Sequence, residues 1–461
     1  MADTSAPARP HWHSRTGFVL AAAGSAVGLG SIWKFPYITG VNGGGWFVLI
    51  YLACIVLVAI PIMVAEILIG RAAQRAPVGA FRALAGPGTA WAAVGWLGVA
   101  AAFVILSYYS VVAGWTLHYA WLSVSGGLAG DRDAIKALFG AVHADPGVNL
   151  FWHCVFMLAT VTVVAAGVQQ GVERWLNRLM PLLFILMLAL LARAIGTPGF
   201  ERSLGFVFGP HAENLTPRGV LEALGHSFFT LSLGMGAMIT YGSYLRQQED
   251  LVVTATLVSG LDTVISLMAC LVVFPIIFSF GLAPGAGPGL VFVSLPIAFG
   301  QMPLGMLWAA LFFALLAIAA LGSAISLLEV PVSHLIDEWK LPRRRATLAA
   351  GAAILLLGVP SALSGRELFG KGVQALTAAV FGGAGKNWFD SLDYLASNWM
   401  LPIGGLGIAV FVAWHAGGPA REQAFKSGSR WGGLYWSWVW LLRYLVPVAV
   451  LAVFLHAIGI L

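Results

Sequence analysis

Charged residues are scarce in this sequence of 461 residues: 10% are Asp, Glu, Lys or Arg, whereas 59% are hydrophobic. A soluble domain carries about 25% charged residues, because its surface faces water. The composition therefore excludes an ordinary soluble protein and indicates a chain whose outer surface contacts lipid.

Cysteine is also rare, and Cys54, Cys154 and Cys270 lie in apolar segments without metal-ligand spacing. We predict inert packing for them rather than a metal site or a disulfide. The pair His11 and His13 is a weak metal pattern, and no nucleophile–base pair stands out, so an enzyme is not expected. The polar amino terminus, Met1 to Thr16, enters a long apolar segment without a cleavage-like site, which favours an uncleaved first span.

Apolar segments long enough to cross about 30 Å of hydrocarbon recur along the whole chain. The sequence predicts eleven spans, near residues 17–38, 44–70, 90–122, 151–167, 175–195, 218–245, 251–281, 302–337, 346–362, 388–415 and 434–460. We expect an all-α polytopic membrane protein that forms one domain, residues 1–461.

The distribution of basic residues predicts the orientation. With a cytoplasmic amino terminus, fifteen lysines and arginines fall on the cytoplasmic side and eight on the opposite side, as the positive-inside rule requires. We therefore expect a multi-pass protein of the inner (plasma) membrane with its amino terminus in the cytoplasm. The net charge of +6 is then explained by topology, and no nucleic-acid partner is expected.

Two spans have polar, glycine-rich centres, between Gly24 and Ser31 in span 1 and between Thr230 and Gly236 in span 6. Close helix packing through small residues is one interpretation. Two such interruptions five spans apart are also typical of broken helices in an inverted repeat. The repeats would cover about 17–196 and 218–415, with 434–460 as an extra helix. Carbonyls freed at the breaks bind a cation, and freed amides bind a carboxylate.

Three acidic residues lie deep within spans: Glu66, Asp262 and Glu329. Each costs about 2.5–3.5 kcal/mol on insertion scales. We expect Glu66 and Glu329 to accept hydrogen bonds from freed amides. For Asp262 we favour cation binding, because its own span contains no lysine or arginine that could neutralise it.

The motifs GLGSIWKFPY (Gly28–Tyr37), NGGG (Asn42–Gly45), FFTLSLGMG (Phe228–Gly236) and ITY (Ile239–Tyr241) resemble the first and sixth helices of neurotransmitter:sodium symporters. The similarity extends over helices 1 to 10 and is strongest to bacterial leucine-transporter-like, eleven-span members. It implies a 5+5 inverted-repeat fold with broken helices 1 and 6.

The resemblance also implies an amino-acid site. The carboxylate would meet the amides near Leu29 and Gly30 and the hydroxyl of Tyr109. The ammonium would face the carbonyls of Ala26, Phe229 and Thr230 and the Ser232 hydroxyl. The side-chain pocket would be shaped by Ile105, Phe229, Met235, Ser323 and Leu327, an apolar lining that favours a neutral, hydrophobic amino acid.

One or two sodium ions are implied in the same way, and no organic cofactor is expected. The first ion would bind Ala26, Ser31, Thr230 and Asp262, and the second Gly24, Val27, Ala319 and Ser323. Ser31 and Asp262 both stand where many relatives have asparagine. At the second site Gly322 stands where a hydroxyl residue is usual, so one ligand is missing.

The resemblance places a chloride ion of some relatives among Tyr51, His226, Thr230, Asp262 and Ser266. Asp262 would take over the charge of that anion, which predicts chloride independence, with proton counter-transport through Asp262 as a further hypothesis. His226 would assist the proton or form a structural hydrogen bond.

Two gates and one flexible helix complete the implied machinery. Lys34 and Asp393 correspond to the outer gate, and Arg9 with Asp337, helped by Trp12 and Tyr244, to the inner gate. Gly171 and Pro181 match a pattern for unwinding the start of helix 5, although an ordinary proline kink is an alternative.

We therefore predict a sodium-coupled symporter that imports a neutral, hydrophobic amino acid by alternating access. Its partners are this small molecule and the lipid bilayer. The alternatives are an amino-acid-binding membrane sensor without transport and a sodium-coupled carrier of another small solute.

Overall fold

The computed structural model describes residues 9–128, 130–209, 215–282, 287–365, 374–375, 378–379 and 385–460. No β-strand occurs in these ranges. The helices are α1 (Arg15–Ala26), α2 (Gly30–Val41), α3 (Gly45–Ala73), α4 (Pro77–Ala85), α5 (Ala92–Ser125), α6 (Arg132–Ala144), α7 (Pro146–Ala165), α8 (Val168–Ile195), α9 (Phe200–Phe208), α10 (Pro217–Thr230), α11 (Ala237–Gly242), α12 (Leu251–Ser279), α13 (Leu290–Gly300), α14 (Gly305–Trp339), α15 (Arg343–Ala362), α16 (Trp388–His415), α17 (Gly418–Lys426) and α18 (Gly432–Ala457).

Each predicted span coincides with a helix or with a pair of helices. In the described part of the chain, nine helices are long and apolar enough to cross a membrane, and α1 with α2 forms one bent pair that also qualifies. Span 6 consists of α10 and α11, each too short to cross alone. That α10 and α11 together cross the membrane, which would make eleven crossings, therefore stays a prediction. The boundaries of the two repeats also stay a prediction.

The first span breaks where the glycine-rich motif predicts. Helix α1 is capped by Ser14, whose side chain accepts a hydrogen bond from the Gly17 amide, and it ends at Ala26. Val27 is extended, with ψ 94°, and α2 resumes at Gly30 with a bend of 55°.

The sixth span breaks over six residues between α10 and α11. Ser232, Gly234 and Gly236 all have left-handed backbone, with φ of 55°, 81° and 74°. Glycine adopts this conformation at no steric cost. At Gly234 a Cβ atom would also lie 2.5 Å from the carbonyl oxygen of Leu401, so the close approach of α16 requires glycine there.

The sequence did not predict five short helices, α4, α6, α9, α13 and α17. Each is too short to cross a membrane. Asp131 and Gly199 precede α6 and α9, and the apolar faces of both helices pack against the bundle. Their sequences are too polar or too brief to be recognised as spans.

The centre of the bundle is built around α1. This helix packs against α8, α12 and α14, while α14 also lies along the length of α5. The breaks of spans 1 and 6 are therefore enclosed by α5, α12 and α14, away from lipid.

Candidate functional site

The two helix breaks contact each other directly. The hydroxyl of Ser232, in the break of span 6, donates to the carbonyl oxygen of Ser25 at 2.9 Å. Ser31, just after the break of span 1, lies 2.9 Å from the Thr230 hydroxyl, oxygen to oxygen. The structure thus brings together the two motifs that the sequence singles out.

Asp262 of α12 points into this junction and is fully buried. Its Oδ1 accepts a hydrogen bond of 2.6 Å from Ser31, and both carboxylate oxygens lie 3.1 Å from the Thr230 hydroxyl. The Tyr51 hydroxyl lies 3.4 Å from Oδ2. No lysine or arginine of the described chain forms an ion pair with Asp262. A buried carboxylate held only by hydroxyls can be neutralised by a bound cation or by a proton.

The four protein groups predicted for the first sodium ion lie in one cluster. The Ser31 hydroxyl is 3.5 Å from the Ala26 carbonyl oxygen and contacts both Thr230 and Asp262. All four groups would bind the ion through oxygen atoms, which suit a small, hard cation. The described residues contain no group of three or more His, Cys, Asp or Glu that could hold a metal ion, so the set does not resemble a transition-metal centre.

A small central cavity adjoins this cluster. The volume of this cavity is about 30 Å³. All eleven residues predicted for the amino-acid site are among those that line it: Ala26, Leu29, Gly30, Ile105, Tyr109, Phe229, Thr230, Ser232, Met235, Ser323 and Leu327. The Tyr109 hydroxyl accepts a long hydrogen bond, 3.4 Å, from the Leu29 amide. The cavity is contracted, so side chains must move to admit an amino acid.

Two of the residues expected at the second sodium site, Gly24 and Ser323, lie at the contact between α1 and α14, but the geometry there differs from the expectation. The Ser323 hydroxyl donates to the carbonyl oxygen of Ser25 at 3.0 Å. A Cβ atom at Gly322 would lie 2.5 Å from the Gly24 carbonyl oxygen. Helices α1 and α14 therefore approach each other more closely than a hydroxyl side chain at position 322 would allow.

The face of the bundle that carries Arg9, Trp12, Tyr244 and Asp337, here called the tail side, is closed. Arg9 forms an ion pair with Asp337, which also accepts from the Ala76 amide at 2.6 Å. The Trp12 indole donates to the Tyr241 carbonyl at 3.0 Å. The four residues predicted for the inner gate thus lie together.

The opposite face, here called the vestibule side, is open at Lys34 and Asp393. These two residues line a cavity of about 300 Å³ without forming an ion pair. The Lys34 ammonium lies 4.9 Å from the ring centre of Phe229, and Asp393 accepts from the Ser397 hydroxyl at 3.2 Å. This cavity and the central one share four lining residues, Leu29, Gly30, Tyr109 and Phe229, so the two cavities adjoin.

The two other deep carboxylates have different partners. Glu66 accepts from the Gly234 amide at 2.7 Å, which agrees with the expected support of a broken helix. For Glu329 that expectation is wrong. It accepts from the Tyr244 hydroxyl at 2.7 Å and from both terminal nitrogens of Arg343, at 3.0 and 2.5 Å. Arg343 begins α15, so its reach into the bundle could not be seen in the sequence.

The first turns of α8 are wide, from Val168 to Glu173, and overlap the start of the predicted unwinding segment at Gly171. A Cβ atom at Gly171 would lie 2.0 Å from the carbonyl oxygen of Val163, so glycine is also needed there for packing. Pro181 lies within the regular part of α8.

Sequence reasoning missed Glu173, a buried residue whose oxygens accept from the His13 amide at 3.1 and 3.2 Å.

His226 does not form the hydrogen bond that one interpretation gave it. The ring is buried, and neither nitrogen has a partner within the described chain. It stacks on Phe35 at 5.7 Å between ring centres and lies 5.8 Å from the ring centre of Tyr51.

Comparison with known proteins agrees with this geometry. Residues 9–134 and 140–460 match the model of the sodium:neurotransmitter symporter family. The chain belongs to this family. Proteins similar to it include the uncharacterized sodium-dependent transporter YhdH of Bacillus subtilis, 40% identical over 98% of both chains. A second is the uncharacterized sodium-dependent transporter of Haemophilus influenzae, 34% identical over 97% of this chain and 98% of that one.

A solved protein structure has the same fold. It is the crystal structure of MhsT in complex with L-phenylalanine, 44% identical, with a TM-score of 0.87 over 98% of this chain and 100% of that chain. The leucine-transporter-like fold and the absence of an enzyme function are therefore confirmed at the level of the family. The chain is a sodium-dependent transporter of this symporter family.

Proposed function

We propose that the protein imports a neutral, hydrophobic amino acid together with sodium by alternating access. The observation that carries this proposal is the junction of the two helix breaks, where Asp262, Ser31 and Thr230 converge beside an apolar cavity. Sodium dependence is a property of the family. What we propose is which residues bind the sodium ion and the amino acid.

Sodium binds first at the Asp262 cluster. The cation neutralises the buried carboxylate, and Ala26, Ser31 and Thr230 supply further oxygens. Because the central cavity shares Ala26 and Thr230 with this cluster, the carboxylate of a bound amino acid reaches the ion. Sodium and substrate therefore strengthen each other's binding, which is the physical basis of coupling.

The amino acid lies with its carboxylate toward Leu29, Gly30 and Tyr109 and its ammonium toward the carbonyl-rich break of span 6. Ile105, Met235 and Leu327 leave only apolar contacts for the side chain. A charged side chain would lose its hydration there without a partner. The bound L-phenylalanine of MhsT is a ligand of the class that this lining favours.

Transport is independent of chloride. Asp262 already supplies a negative charge beside Tyr51, His226 and Ser266, so a nearby anion would be repelled. On the return of the empty carrier Asp262 takes a proton in place of sodium, which gives proton counter-transport. His226 stacks on Phe35 and contacts the Tyr51 ring. The Tyr51 hydroxyl reaches Asp262, so a single side chain, Tyr51, connects His226 to that carboxylate.

Alternation uses the two faces of the bundle. With the amino terminus in the cytoplasm of a cell with an inner membrane, the tail side is cytoplasmic and the vestibule side external. The closed Arg9–Asp337 pair and the separated Lys34 and Asp393 then correspond to a carrier open toward the outside. Closure brings Lys34 and Asp393 together above the substrate, and unwinding of α8 near Gly171 and Pro181 opens the inner path.

Purified protein in liposomes tests the proposal. With sodium outside and potassium inside, radiolabelled L-phenylalanine should accumulate, and replacing external sodium with potassium should abolish accumulation. Replacing chloride with gluconate should change the rate less than twofold, well below the tenfold that about 1.4 kcal/mol would give. Binding of L-phenylalanine without uptake would favour a sensor instead, and sodium-independent uptake would contradict the proposal.

A further inference from the structure

Helix α1 approaches helix α14 closely near the end of α1. At Gly322 a Cβ atom would lie 2.5 Å from the Gly24 carbonyl oxygen, well inside ordinary van der Waals contact. The Gly24 carbonyl therefore faces the backbone of α14. A hydroxyl side chain at position 322 could not be added without moving one of the two helices.

The neighbouring hydroxyl on α14 donates its proton to α1. Ser323 donates to the Ser25 carbonyl oxygen at 3.0 Å, and the same oxygen accepts from Ser232 at 2.9 Å. The Ser25 hydroxyl donates to Ser326 at 2.7 Å, which donates to the Ser323 carbonyl at 2.8 Å. We call these four residues, Ser25, Ser232, Ser323 and Ser326, the serine cluster.

The serine cluster links three elements: α1, the break of span 6 and α14. All four side chains are buried, so water does not compete for their hydrogen bonds. Around the Gly24 backbone the surroundings are apolar, with Leu176 2.8 Å and Met180 3.4 Å from the position of a Cβ atom. An ion at this place would find one hydroxyl ligand missing, because position 322 is glycine. Ser323, which donates its proton to Ser25 and keeps its oxygen lone pairs, would be the one side-chain ligand left of the expected set.

We infer that the protein couples a single sodium ion, bound at Asp262, to each amino acid, and that the serine cluster takes the place of a second ion. The cluster holds α1 against α14, so these helices need no cation between them. The carbonyls of Gly24, Val27 and Ala319 remain, but hard cations bind sets of several oxygen ligands, and glycine at position 322 leaves this set one ligand short. This inference rests on the proposed function.

Sodium stoichiometry tests the first half of the inference. Equilibrium binding of ²²Na⁺ to the purified full chain, with saturating L-phenylalanine, should give about one ion per protein, and initial uptake should rise with sodium with a Hill coefficient of about 1. Two ions per protein or a Hill coefficient near 2 would overturn the inference while leaving the symporter intact. No sodium-dependent binding or uptake at all would overturn the proposed function and this inference with it.

The variant Asp262→Ala distinguishes a protein with one sodium site from a protein with two. With a single site, saturable ²²Na⁺ binding should disappear. A residual ion bound with unchanged affinity would show a second site and contradict the inference. Circular dichroism and gel filtration of the variant confirm that the chain is folded.

The serine cluster is tested by Ser326→Ala, with Ser333→Ala as the matched control. Both serines are buried in α14, but Ser333 donates only to the Val330 carbonyl of its own helix. Loss of the Ser25–Ser326 hydrogen bond between α1 and α14 should raise the hydrogen–deuterium exchange rate of residues 15–26 by roughly fivefold in Ser326→Ala, with one sodium ion still bound. Equal exchange in the two variants would show that the cluster does not hold α1.

Discussion

Ser31 donates a hydrogen bond of 2.6 Å to Asp262, although the two residues are 231 positions apart in the sequence. The contact joins the first turn after the break of span 1 to the middle of α12. Thr230, at the break of span 6, contacts the same carboxylate. One buried acid thus connects both broken helices, so its ionic state affects both.

Asp262→Asn should weaken sodium binding and make transport dependent on chloride. The amide keeps the size of the side chain but removes its charge, so the sodium concentration for half-maximal uptake should rise about tenfold, equivalent to about 1.4 kcal/mol. Uptake into liposomes in chloride and in gluconate media measures both effects. Ser259→Ala, on the same helix with its hydroxyl toward Met63, is the control. A variant as active in gluconate as in chloride would contradict the electrostatic role of Asp262.

Arg9→Ala should increase the local opening of the helices on the tail side. The Arg9–Asp337 pair is mostly buried, with side chains 14% and 19% exposed, and removing one partner leaves the other charge unpaired. Hydrogen–deuterium exchange of residues 15–26 should therefore increase several-fold. Arg82→Ala breaks an exposed pair with Glu338, which contributes little, and should leave exchange unchanged. If both variants behave alike, Arg9 is not a gate.

Pro181→Ala should slow sodium release on the tail side. Alanine restores a backbone donor within α8, and the continuous helix then resists unwinding. Uptake should fall several-fold, while equilibrium binding of L-phenylalanine stays within twofold. Pro360→Ala, in the interior of α15, controls for general effects of helix prolines. Gly171 is less suitable for this test, because a Cβ atom there would overlap the Val163 carbonyl. Unchanged uptake in Pro181→Ala would leave an ordinary kink as the explanation.

Glu66→Ala should destabilise the fold, whereas Glu66→Gln should be milder. Alanine leaves the buried Gly234 amide without an acceptor, at a cost of about 1–3 kcal/mol. Glutamine keeps one carbonyl oxygen for this bond. Thermal unfolding in detergent should therefore occur at a lower temperature for Glu66→Ala than for Glu66→Gln. Equal unfolding temperatures of the two variants would contradict the hydrogen-bonding role, because both substitutions remove the charge of Glu66 and only glutamine keeps the acceptor.

The spans were predictable because apolar length is a strong local signal. The segment predicted at 388–415 coincides with α16, and the one predicted at 251–281 ends two residues later than α12. Glycines and hydroxyls at the middle of spans 1 and 6 revealed the breaks, since such residues weaken a helix in lipid. Short helices outside the spans, such as α6, carry no comparable signal.

Contacts between distant segments set the limit of the sequence analysis. Glu329 was expected to support freed amides, and instead it pairs with Arg343, which enters the bundle from the start of α15. Gly322 was recognised only as a missing ligand. Its close approach to the Gly24 carbonyl depends on the packing of α1 against α14, which no local pattern determines. Glu173 was missed because a lone glutamate near a span end is usually solvated.

The measurement that tests the central claim most directly is calorimetric titration of L-phenylalanine into the purified protein over a series of sodium concentrations at constant ionic strength. If the ion and the amino-acid carboxylate meet at the two helix breaks, the dissociation constant of L-phenylalanine should fall by at least roughly tenfold between potassium and saturating sodium. In Asp262→Asn this dependence should weaken strongly. A dissociation constant that is the same in sodium and in potassium would contradict a shared site for the ion and the amino acid.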